Sequence, residues 1–305
     1  MKLLQLRRLN FLLSIQLILA YFGEKLFKVN LVTDQKQLIA YFNHLVKLDL
    51  IHQKDLGKYY NVRNSAGESF ILRKPFSSDY KVYEQVFVDE EYKPLVALTN
   101  DYCQQPTVVI LDGGANIGFT TLYLQRALRP NKQLHAILVE PFESNLACAE
   151  LNLSNEGLAE ISFERAGLHN KNCFLSINQS FRDAMEWSVQ VEESSLPTDL
   201  KAIQPLDILQ NHNIDHFDVL KLDIEGAERF LFANEDYASE FLQRTTIIAI
   251  EVHPEYIERK KVVSVLEKNG FSLSNSGELV IGVRNSTVNN NISNNIVDIH
   301  AENHL

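Results

Sequence analysis

Residues 108–118 read VVILDGGANIG, and this stretch decides the fold of the chain. Its first four residues are apolar and three of them are β-branched, which is typical of a buried strand. The strand runs into Asp112 and a turn of small residues, and the pattern from Phe119 to Leu128 then predicts an amphipathic helix. A strand, a tight turn and a helix N-terminus are the first part of a nucleotide-type cofactor site in a doubly wound α/β sheet.

The turn has the pattern D-x-G-x-N-x-G, which differs from the dinucleotide fingerprint G-x-G-x-x-G because it opens on a carboxylate. Gly114 and Gly118 let the backbone approach a ligand, and Asn116 tolerates a left-handed conformation nearly as well as glycine. The carboxylate would repel a pyrophosphate, but it suits S-adenosylmethionine, which carries a sulfonium and an ammonium group. We therefore expect this cofactor to be bound by the turn, at Asp112, Gly113, Gly114, Ala115, Asn116 and Gly118.

A second carboxylate, Glu140, follows the next predicted strand, Leu134 to Val139, and precedes Pro141. An acid at the end of the second strand of a βαβ unit can accept hydrogen bonds from both hydroxyls of a ribose. The alternative is an acidic N-cap for the helix predicted from Glu143 to Asn152. The agreement of strand, acid and spacing favours Glu140 and Pro141 as cofactor-binding residues.

Two further strands end in acids. Residues 217–222 lead into Asp223, and residues 246–250 lead into Glu251. In open α/β sheets, ligands bind beyond the carboxyl ends of the strands. We therefore expect four carboxylates to converge on one rim: Asp112, Glu140, Asp223 and Glu251.

These segments together resemble the FkbM-type methyltransferases, over roughly residues 105–285. The most specific block is LKLDIEGAE at residues 220–228, supported by DGGANIG at 112–118, EP at 140–141, NL at 152–153 and IEVH at 250–253. The family is similar to class I S-adenosylmethionine-dependent methyltransferases, so the resemblance implies a doubly wound sheet with a terminal antiparallel hairpin. It also implies methylation of a hydroxyl on a sugar, glycan or secondary metabolite.

Methyl transfer to a hydroxyl needs alignment of acceptor, methyl group and sulfur, and it needs a base. The predicted base is Asp223 or His253. In the alternative, Asp223 binds the ammonium group of the cofactor or the acceptor, and His253 is a turn residue before a proline. Lys221, on the same strand face as Asp223, would neutralise the acids. Acids and an imidazole also suit a divalent metal, but we predict none.

The amino-acid composition and net charge of the chain limit the kinds of molecule that it is expected to bind. The 305 residues are 45% hydrophobic, and 29 Lys and Arg against 39 Asp and Glu give a formal net charge of −10. Without a basic block, nucleic acid is an unsuitable partner, and a small-molecule or glycan acceptor is expected. The three cysteines have neither disulfide nor zinc spacing, which favours a reduced, cytoplasmic setting. No pattern indicates an oligomeric state.

The predicted organisation is a helical or mixed cap at residues 1–104, a catalytic domain at 105–286 and a disordered, Asn-rich tail at 287–305. In the cap we expect helices over residues 1–55 and 79–98 and strands over 58–73. The apolar run Phe11 to Phe22 is too short to span a membrane. It favours an amphipathic or core helix, with a membrane-surface contact or a signal peptide as alternatives.

The segment from Glu164 to Pro205 is the least regular. Alternation over 173–177 and 187–191 predicts a hairpin that faces the substrate. Trp187 either stacks on an acceptor or is a core aromatic, and His169 and Asp183 are candidates for contact with the adenine.

Three other functions compete with O-methylation. The acceptor atom could be nitrogen or carbon, the domain could be a non-catalytic nucleotide-binding module, or the fold could serve a nicotinamide-dependent oxidoreductase. The intact motif argues against the module, and Asp112 at the phosphate position argues against the oxidoreductase.

Overall fold

The structure, a computed structural model, describes residues 3–27, 33–74, 77–178 and 190–285. The N-terminal part begins with a 3₁₀ turn and includes one π-helical turn at Glu84–Val88. Its helices are α1 (Phe11–Phe27), α2 (Thr33–Lys47), α3 (Asp79–Tyr83) and α4 (Lys93–Tyr102). Its strands form an antiparallel sheet: β1 (Leu50–Asp55), β2 (Tyr59–Asn64) and β3 (Ser69–Arg73).

Two predictions in this region were wrong in detail. The predicted helix over residues 1–55 ends at Lys47, and Asp49 then takes a positive φ of 55° that starts β1. The predicted helix over 79–98 is broken because Glu90 also takes a positive φ, 51°. Left-handed residues do not continue a right-handed helix, and nothing in the spacing of apolar residues marks them.

The rest of the chain alternates strands and helices. Its strands are β4 (Thr107–Gly113), β5 (Gln133–Val139), β6 (Glu160–Glu164), β7 (Ala166–Leu168), β8 (Phe174–Asn178), β9 (Gln190–Ser194), β10 (Leu200–Ile203), β11 (Phe217–Leu222), β12 (Thr245–Glu251), β13 (Phe271–Ser276) and β14 (Leu279–Arg284). Its helices are α5 (Phe119–Ala127), α6 (Glu143–Leu153), α7 (Pro205–Asn211), α8 (Glu228–Leu231), α9 (Glu235–Leu242) and α10 (Arg259–Lys268).

Seven of these strands form the central sheet, in the order β13-β14-β12-β11-β4-β5-β6. The strands from β12 to β6 in this order are parallel, whereas β14 runs antiparallel to both β12 and β13. This confirms the doubly wound sheet with a terminal antiparallel hairpin. Because β4, β5, β11 and β12 are parallel, their carboxyl ends share one edge.

The segment from 164 to 205 forms a four-stranded sheet of order β7-β10-β8-β9. The predicted hairpin is present as the antiparallel pair β8 and β9, with Ile177 opposite Val191. Trp187 and Asp183 lie outside the described residues, as does the predicted tail from 287 onward.

The central sheet is covered on both faces. One face, with Val108, Ile110 and Val219, packs in a single buried cluster with the N-terminal elements, including Leu45 and Leu95. The other face packs against α7, α9 and α10, and it carries the alternating partners Leu111, Ile137, Leu220, Leu222, Ile248 and Ile250. Burial on both faces explains why these strands read as continuous apolar runs.

Candidate active site

A cavity of about 400 Å³ opens at the carboxyl edge of the central sheet. It is lined by the turn after β4, by Glu140 and Pro141 after β5, and by Asp223 after β11. Glu251 at the end of β12 and His253 just beyond it also line the cavity. Three of the four carboxylates expected on the rim therefore lie on the cavity wall. The fourth, Asp112, is fully buried and does not line the cavity.

Asp112 is neutralised from within the protein. One carboxylate oxygen accepts a 2.7 Å hydrogen bond from the Thr121 hydroxyl, and the other lies 3.2 Å from the ammonium of Lys221. Lys221 is itself 2% exposed and donates to the carbonyl oxygen of Gly114 over 2.8 Å. Burial lowers the pKa of Lys221, but the Asp112 carboxylate outweighs it and holds the pKa above its usual value. The pair thus supports the glycine turn from behind.

Gly114 is required by a close approach of two backbones. It has a φ of +71°, and a Cβ here would overlap the carbonyl oxygen of Asp223. The turn is held to both neighbouring strands, because the Gly114 N–H donates to the Val139 carbonyl (2.9 Å) and the Asp223 N–H donates to the Gly113 carbonyl (3.1 Å). The glycine therefore lets the ends of β4 and β11 meet, and it also lines the cavity.

Gly118 was expected to let the backbone approach a ligand, but it packs against a helix of the protein instead. Its φ is +77°, and a Cβ would lie 3.0 Å from Leu153 and 3.1 Å from Ala149, both on α6. Gly118 does not line the cavity; it lets α5 pack against α6. Asn116, with a φ of +50°, adopts the left-handed conformation predicted for it and does line the cavity.

Glu140 is held in place by three donors. Its Oε2 accepts from the Asn116 N–H (2.9 Å), and its Oε1 accepts from the Phe142 N–H (3.1 Å) and the Asn145 side-chain amide (3.0 Å). The residue is 4% exposed, and burial raises the pKa of Glu140 to about 6 against the effect of these hydrogen bonds. Glu140 is not the N-cap of α6, because that position is occupied by Phe142, but its carboxylate binds Phe142 and Asn145 at the start of the helix.

The Glu140 end of the cavity fits a ligand that carries hydroxyl donors. The side-chain oxygens of Asn116 and Asn145 are buried, and among the described residues nothing donates to either. Buried acceptors are normally satisfied. Both asparagines line the cavity beside the carboxylate, so a ribose with two adjacent hydroxyls matches the available acceptors.

The opposite end is built around a buried imidazole. His253 Nδ1 lies 3.2 Å from Glu228 Oε1, and its Nε2 lies 3.4 Å from Glu225 Oε2. Burial lowers the pKa of His253, but the hydrogen bonds to Glu225 and Glu228 outweigh it and raise the pKa to about 11. The ring is therefore a cation near neutral pH. This argues against His253 as the base, because both of its nitrogens are occupied by carboxylates.

Burial favours the neutral form of the neighbouring Glu251 carboxyl, whereas His253 is stabilised in its charged form. Its Oε1 lies 3.8 Å from His253 Nε2, and burial together with the Asp223 carboxylate raises the pKa of Glu251 to about 8. Asp223 and Glu225 do not lie on one continuous strand, because β11 ends at Leu222 and Glu225 takes a positive φ of 52°. Both acids nevertheless line the cavity.

Three side chains that could serve as metal ligands lie together at this end of the cavity. Ligand atoms of Asp223, Glu251 and His253 lie within 4.8 Å of one another. In the structure the His253 imidazole lies between Glu225 and Glu228, and the Lys221 ammonium lies 3.9 Å from Asp223. We describe this group as an acid–base cluster.

The N-terminal part also contributes residues to the cavity wall. Glu91 and Tyr92, on the turn before α4, line the wall together with Glu278 of the terminal hairpin. The Ser276 hydroxyl donates to the Glu91 carbonyl over 3.0 Å. Burial raises the pKa of the Tyr92 hydroxyl above its usual value. The sequence carries no local signal for these three residues, because they come together only through the packing of distant elements.

Two further residues, Glu228 and His169, make contacts that their positions in the sequence do not indicate. Glu228 belongs to the most specific motif and is the first residue of α8. In the structure it is fully buried, accepts from the Ile224 N–H (3.1 Å) and holds His253. His169, a candidate for adenine contact, does not line the cavity but stacks on Phe230 at 4.2 Å.

The sheet order, the glycine turn and the acids at the strand ends define a Rossmann-like methyltransferase of class I. Residues 112–273 match the sequence profile of the family described as the methyltransferase FkbM domain. This is more than half of the chain, so the protein belongs to the FkbM methyltransferase family, and S-adenosylmethionine is its methyl donor. A comparison with curated proteins found no match.

Solved structures of low identity are similar to parts of the chain. One is magnesium protoporphyrin IX methyltransferase from Synechocystis PCC 6803 with bound SAM (12% identity, 70% of this chain, 86% of that one, TM-score 0.37). Another is a SAM-dependent O-methyltransferase from Thermotoga maritima (16% identity, 73% and 77%, TM-score 0.36). A third is an rRNA methylase from Streptococcus thermophilus (11% identity, 63% and 94%, TM-score 0.38).

Proposed function

We propose that the protein transfers a methyl group from S-adenosylmethionine to a hydroxyl of a sugar, glycan or small metabolite. The observation that carries this proposal is Glu251, a carboxyl on the cavity wall whose pKa is raised to about 8. A general base works best when its pKa lies near the operating pH. A hydroxyl acceptor needs such a base, because it must lose its proton as the new bond to carbon forms.

The cofactor would occupy the side of the cavity formed by β4 and β5. In this proposal Glu140 and the side-chain oxygens of Asn116 and Asn145 receive the ribose hydroxyls. The backbone of Gly114 and Ala115 borders the amino-acid end, and Asp223 attracts the cationic part of the molecule. The bound cofactor supplies an electrophilic methyl group, and the rest of the chemistry falls to side chains of the protein.

The acceptor would bind on the side of β12 and the cap. Glu251 takes the proton of the acceptor hydroxyl, and His253 stays protonated between Glu225 and Glu228. The imidazolium favours the ionised form of Glu251, 3.8 Å away, so it keeps the base usable despite its burial. Asp223 opposes ionisation of Glu251, and a cationic methyl donor would relieve that repulsion.

The charges on the wall restrict the acceptor. Six carboxyl groups, of which Glu251 is ionised only as the pH rises through about 8, line the cavity against the cations of Lys221 and His253: Glu91, Glu140, Asp223, Glu225, Glu251 and Glu278. Such a wall repels phosphates and other anions, which supports a neutral, hydroxyl-rich acceptor and argues against a nucleic acid. A cationic amine is the second candidate, because the same carboxylates would attract it, and methylation would then take place on nitrogen.

The experiment is transfer of labelled methyl from the cofactor to a panel of glycans, hydroxylated metabolites and amines. Glu251→Gln should lower kcat about 10²- to 10⁴-fold, the usual loss when a general base is removed, with little change in cofactor affinity. Glu267→Gln, an exposed glutamate on α10, is the matched control and should behave as wild type. Addition of EDTA should leave the rate unchanged.

The pH profile tests the role of the carboxyl directly. The base must be ionised, and its raised pKa means that ionisation is completed only as the pH rises through about 8. The value of kcat/KM should therefore increase about tenfold per pH unit below this point and level off above it. In Glu251→Gln the residual rate should lose this rise.

Two results would contradict the proposal. If calorimetry showed binding of NAD and none of S-adenosylmethionine, the domain would be an oxidoreductase. If the cofactor bound but Glu251→Gln transferred methyl groups at the wild-type rate, another group would be the base. Binding with no transfer to any class of acceptor would favour a non-catalytic module.

A further inference from the structure

The helix α1 is apolar on both of its faces. Leu17 and Ala20 are buried on one side, 1% and 0% exposed. The opposite side presents five large apolar side chains to solvent, with exposed fractions of 83% for Phe11, 65% for Leu12, 38% for Ile15, 66% for Leu19 and 44% for Phe22. No charged residue occurs between Phe11 and Gly23. Exposed apolar patches of this kind mark interaction sites.

The helix is held on the protein by its surroundings. Arg8 donates to the Leu50 carbonyl over 3.1 Å and pairs with Asp49 at 2.5 Å, which joins the start of the helix to β1. The Asn10 side chain caps the Leu13 N–H over 2.9 Å, and one face of α1 packs against α2. The apolar stripe is therefore ordered before anything binds to it, and binding does not have to form the helix.

Charge distinguishes this end of the molecule from the rest. The first 23 residues contain Lys2, Arg7 and Arg8 and no acid. The remaining residues therefore hold 26 Lys and Arg against 39 Asp and Glu, a net charge of −13. Arg8 is paired with Asp49, whereas Arg7, which precedes α1 in the chain, is exposed. A basic, apolar segment on an acidic protein is complementary to a surface that is negatively charged outside and apolar within.

A second copy of the chain fits the stripe less well. Taking roughly 200 Å² for each fully exposed large side chain, the five residues offer on the order of 600 Å². A standard interface buries about 800 Å² on each partner.

We propose that α1 docks the protein on a lipid surface with anionic headgroups, lying in the plane of the interface with its apolar stripe inserted. Helices with one apolar face and flanking cations bind membranes in this way. The acidic body would point away from the surface, where salt screens its repulsion beyond about 10 Å. Within the described residues, no helix is long and apolar enough to cross a membrane.

The test is flotation of the full-length protein with phosphatidylcholine vesicles that contain or lack a minor fraction of phosphatidylglycerol. The protein should float with the anionic vesicles, and the double variant Leu12→Gln, Leu19→Gln should bind at least tenfold more weakly. Leu196→Gln is the matched control, because this leucine is 71% exposed but lies after β9. Arg7→Glu should weaken binding to the vesicles that contain phosphatidylglycerol and should not affect binding to the vesicles that lack it.

Folding is checked by the thermal unfolding midpoint, which the double variant should retain because both leucines face solvent. Wild-type protein that stays unbound with both kinds of vesicle would overturn the proposal. So would equal losses in the double variant and in Leu196→Gln. A dimer in sedimentation that the double variant dissociates would assign the stripe to a second copy of the chain instead.

Discussion

At the scale of single residues, Asp112 shows how a motif position can be right and its expected role different. The acid that opens the glycine turn was expected to face a cationic ligand. In the structure its charge is matched by Lys221, and Lys221 in turn binds the carbonyl of Gly114. The two side chains hold the turn in shape, and the turn that they support lines the cavity at Gly114 and Ala115.

The contribution of this buried ion pair to the free energy of unfolding can be measured. Removing one partner of a buried pair leaves an uncompensated charge, which costs about 3–5 kcal/mol. Asp112→Ala and Lys221→Met should each lower the free energy of unfolding by this amount, measured by urea denaturation. The double variant Asp112→Leu, Lys221→Met should recover most of the loss, because an apolar pair of similar volume is often neutral.

The control is Arg129→Met, which breaks an exposed pair with Asp101. Exposed pairs contribute about 0–1 kcal/mol, so this variant should stay close to wild type. If Asp112→Ala kept wild-type stability, the aspartate would not be a structural partner of the lysine, and a direct role at the ligand would be the better explanation.

At the scale of elements, the turn between β4 and α5 reverses the chain through three residues with positive φ: Gly114, Asn116 and Gly118. Each has a separate reason. Gly114 makes room for the backbone after β11, Asn116 donates its N–H to Glu140, and Gly118 makes room for α6. The spacing of the motif therefore records the packing of neighbouring elements as well as the shape of the ligand.

Replacing Gly118 with alanine should combine two costs. The left-handed conformation alone costs about 1–2 kcal/mol for a residue with a Cβ, and the new methyl would press on Leu153 and Ala149. Gly157→Ala is a matched control, because Gly157 has a φ of +68° and nothing within 4 Å of its Cβ position. Urea denaturation should show a clearly larger loss for Gly118→Ala. Equal losses would mean that α6 yields without cost.

At the scale of the whole molecule, the cap and the catalytic sheet share one core. The buried cluster that contains Val108, Ile110 and Val219 of the sheet also contains Leu45, Leu72 and Leu95 of the cap. The cavity is likewise lined from both parts. A boundary near residue 104 remains a prediction about the chain, but the packing ties both sides of it together.

One consequence is cooperative unfolding. Tyrosines of the cap, among them Tyr41, Tyr80 and Tyr83, are buried in that cluster. Tyrosine fluorescence and far-ultraviolet circular dichroism should therefore report the same urea midpoint, because packing across a shared core makes unfolding all-or-none. Two separated transitions would show that the cap folds independently of the sheet.

Much of the fold could be predicted because its signals are local. The strands from Val108 and Phe217 are runs of apolar residues buried on both faces, and such runs predict strands without knowledge of their neighbours. The parallel order then carries Glu140, Asp223 and Glu251 to one edge. Elements that begin at a left-handed residue, such as the strand after Asp49, were missed because that conformation depends on local packing and not on periodicity.

The sequence by itself determined the alternation of strands and helices, the family motifs and the acids at the strand ends, since each is written in neighbouring residues. Only the tertiary structure decided the surroundings, and with them the charge states, of these side chains. The negative charge of Asp112 is neutralised by Lys221. His253 is held as a cation by Glu225 and Glu228, and Glu251 keeps its proton to a higher pH than an ordinary glutamate. Charge states depend on distance and burial, and residues far apart in the chain set both.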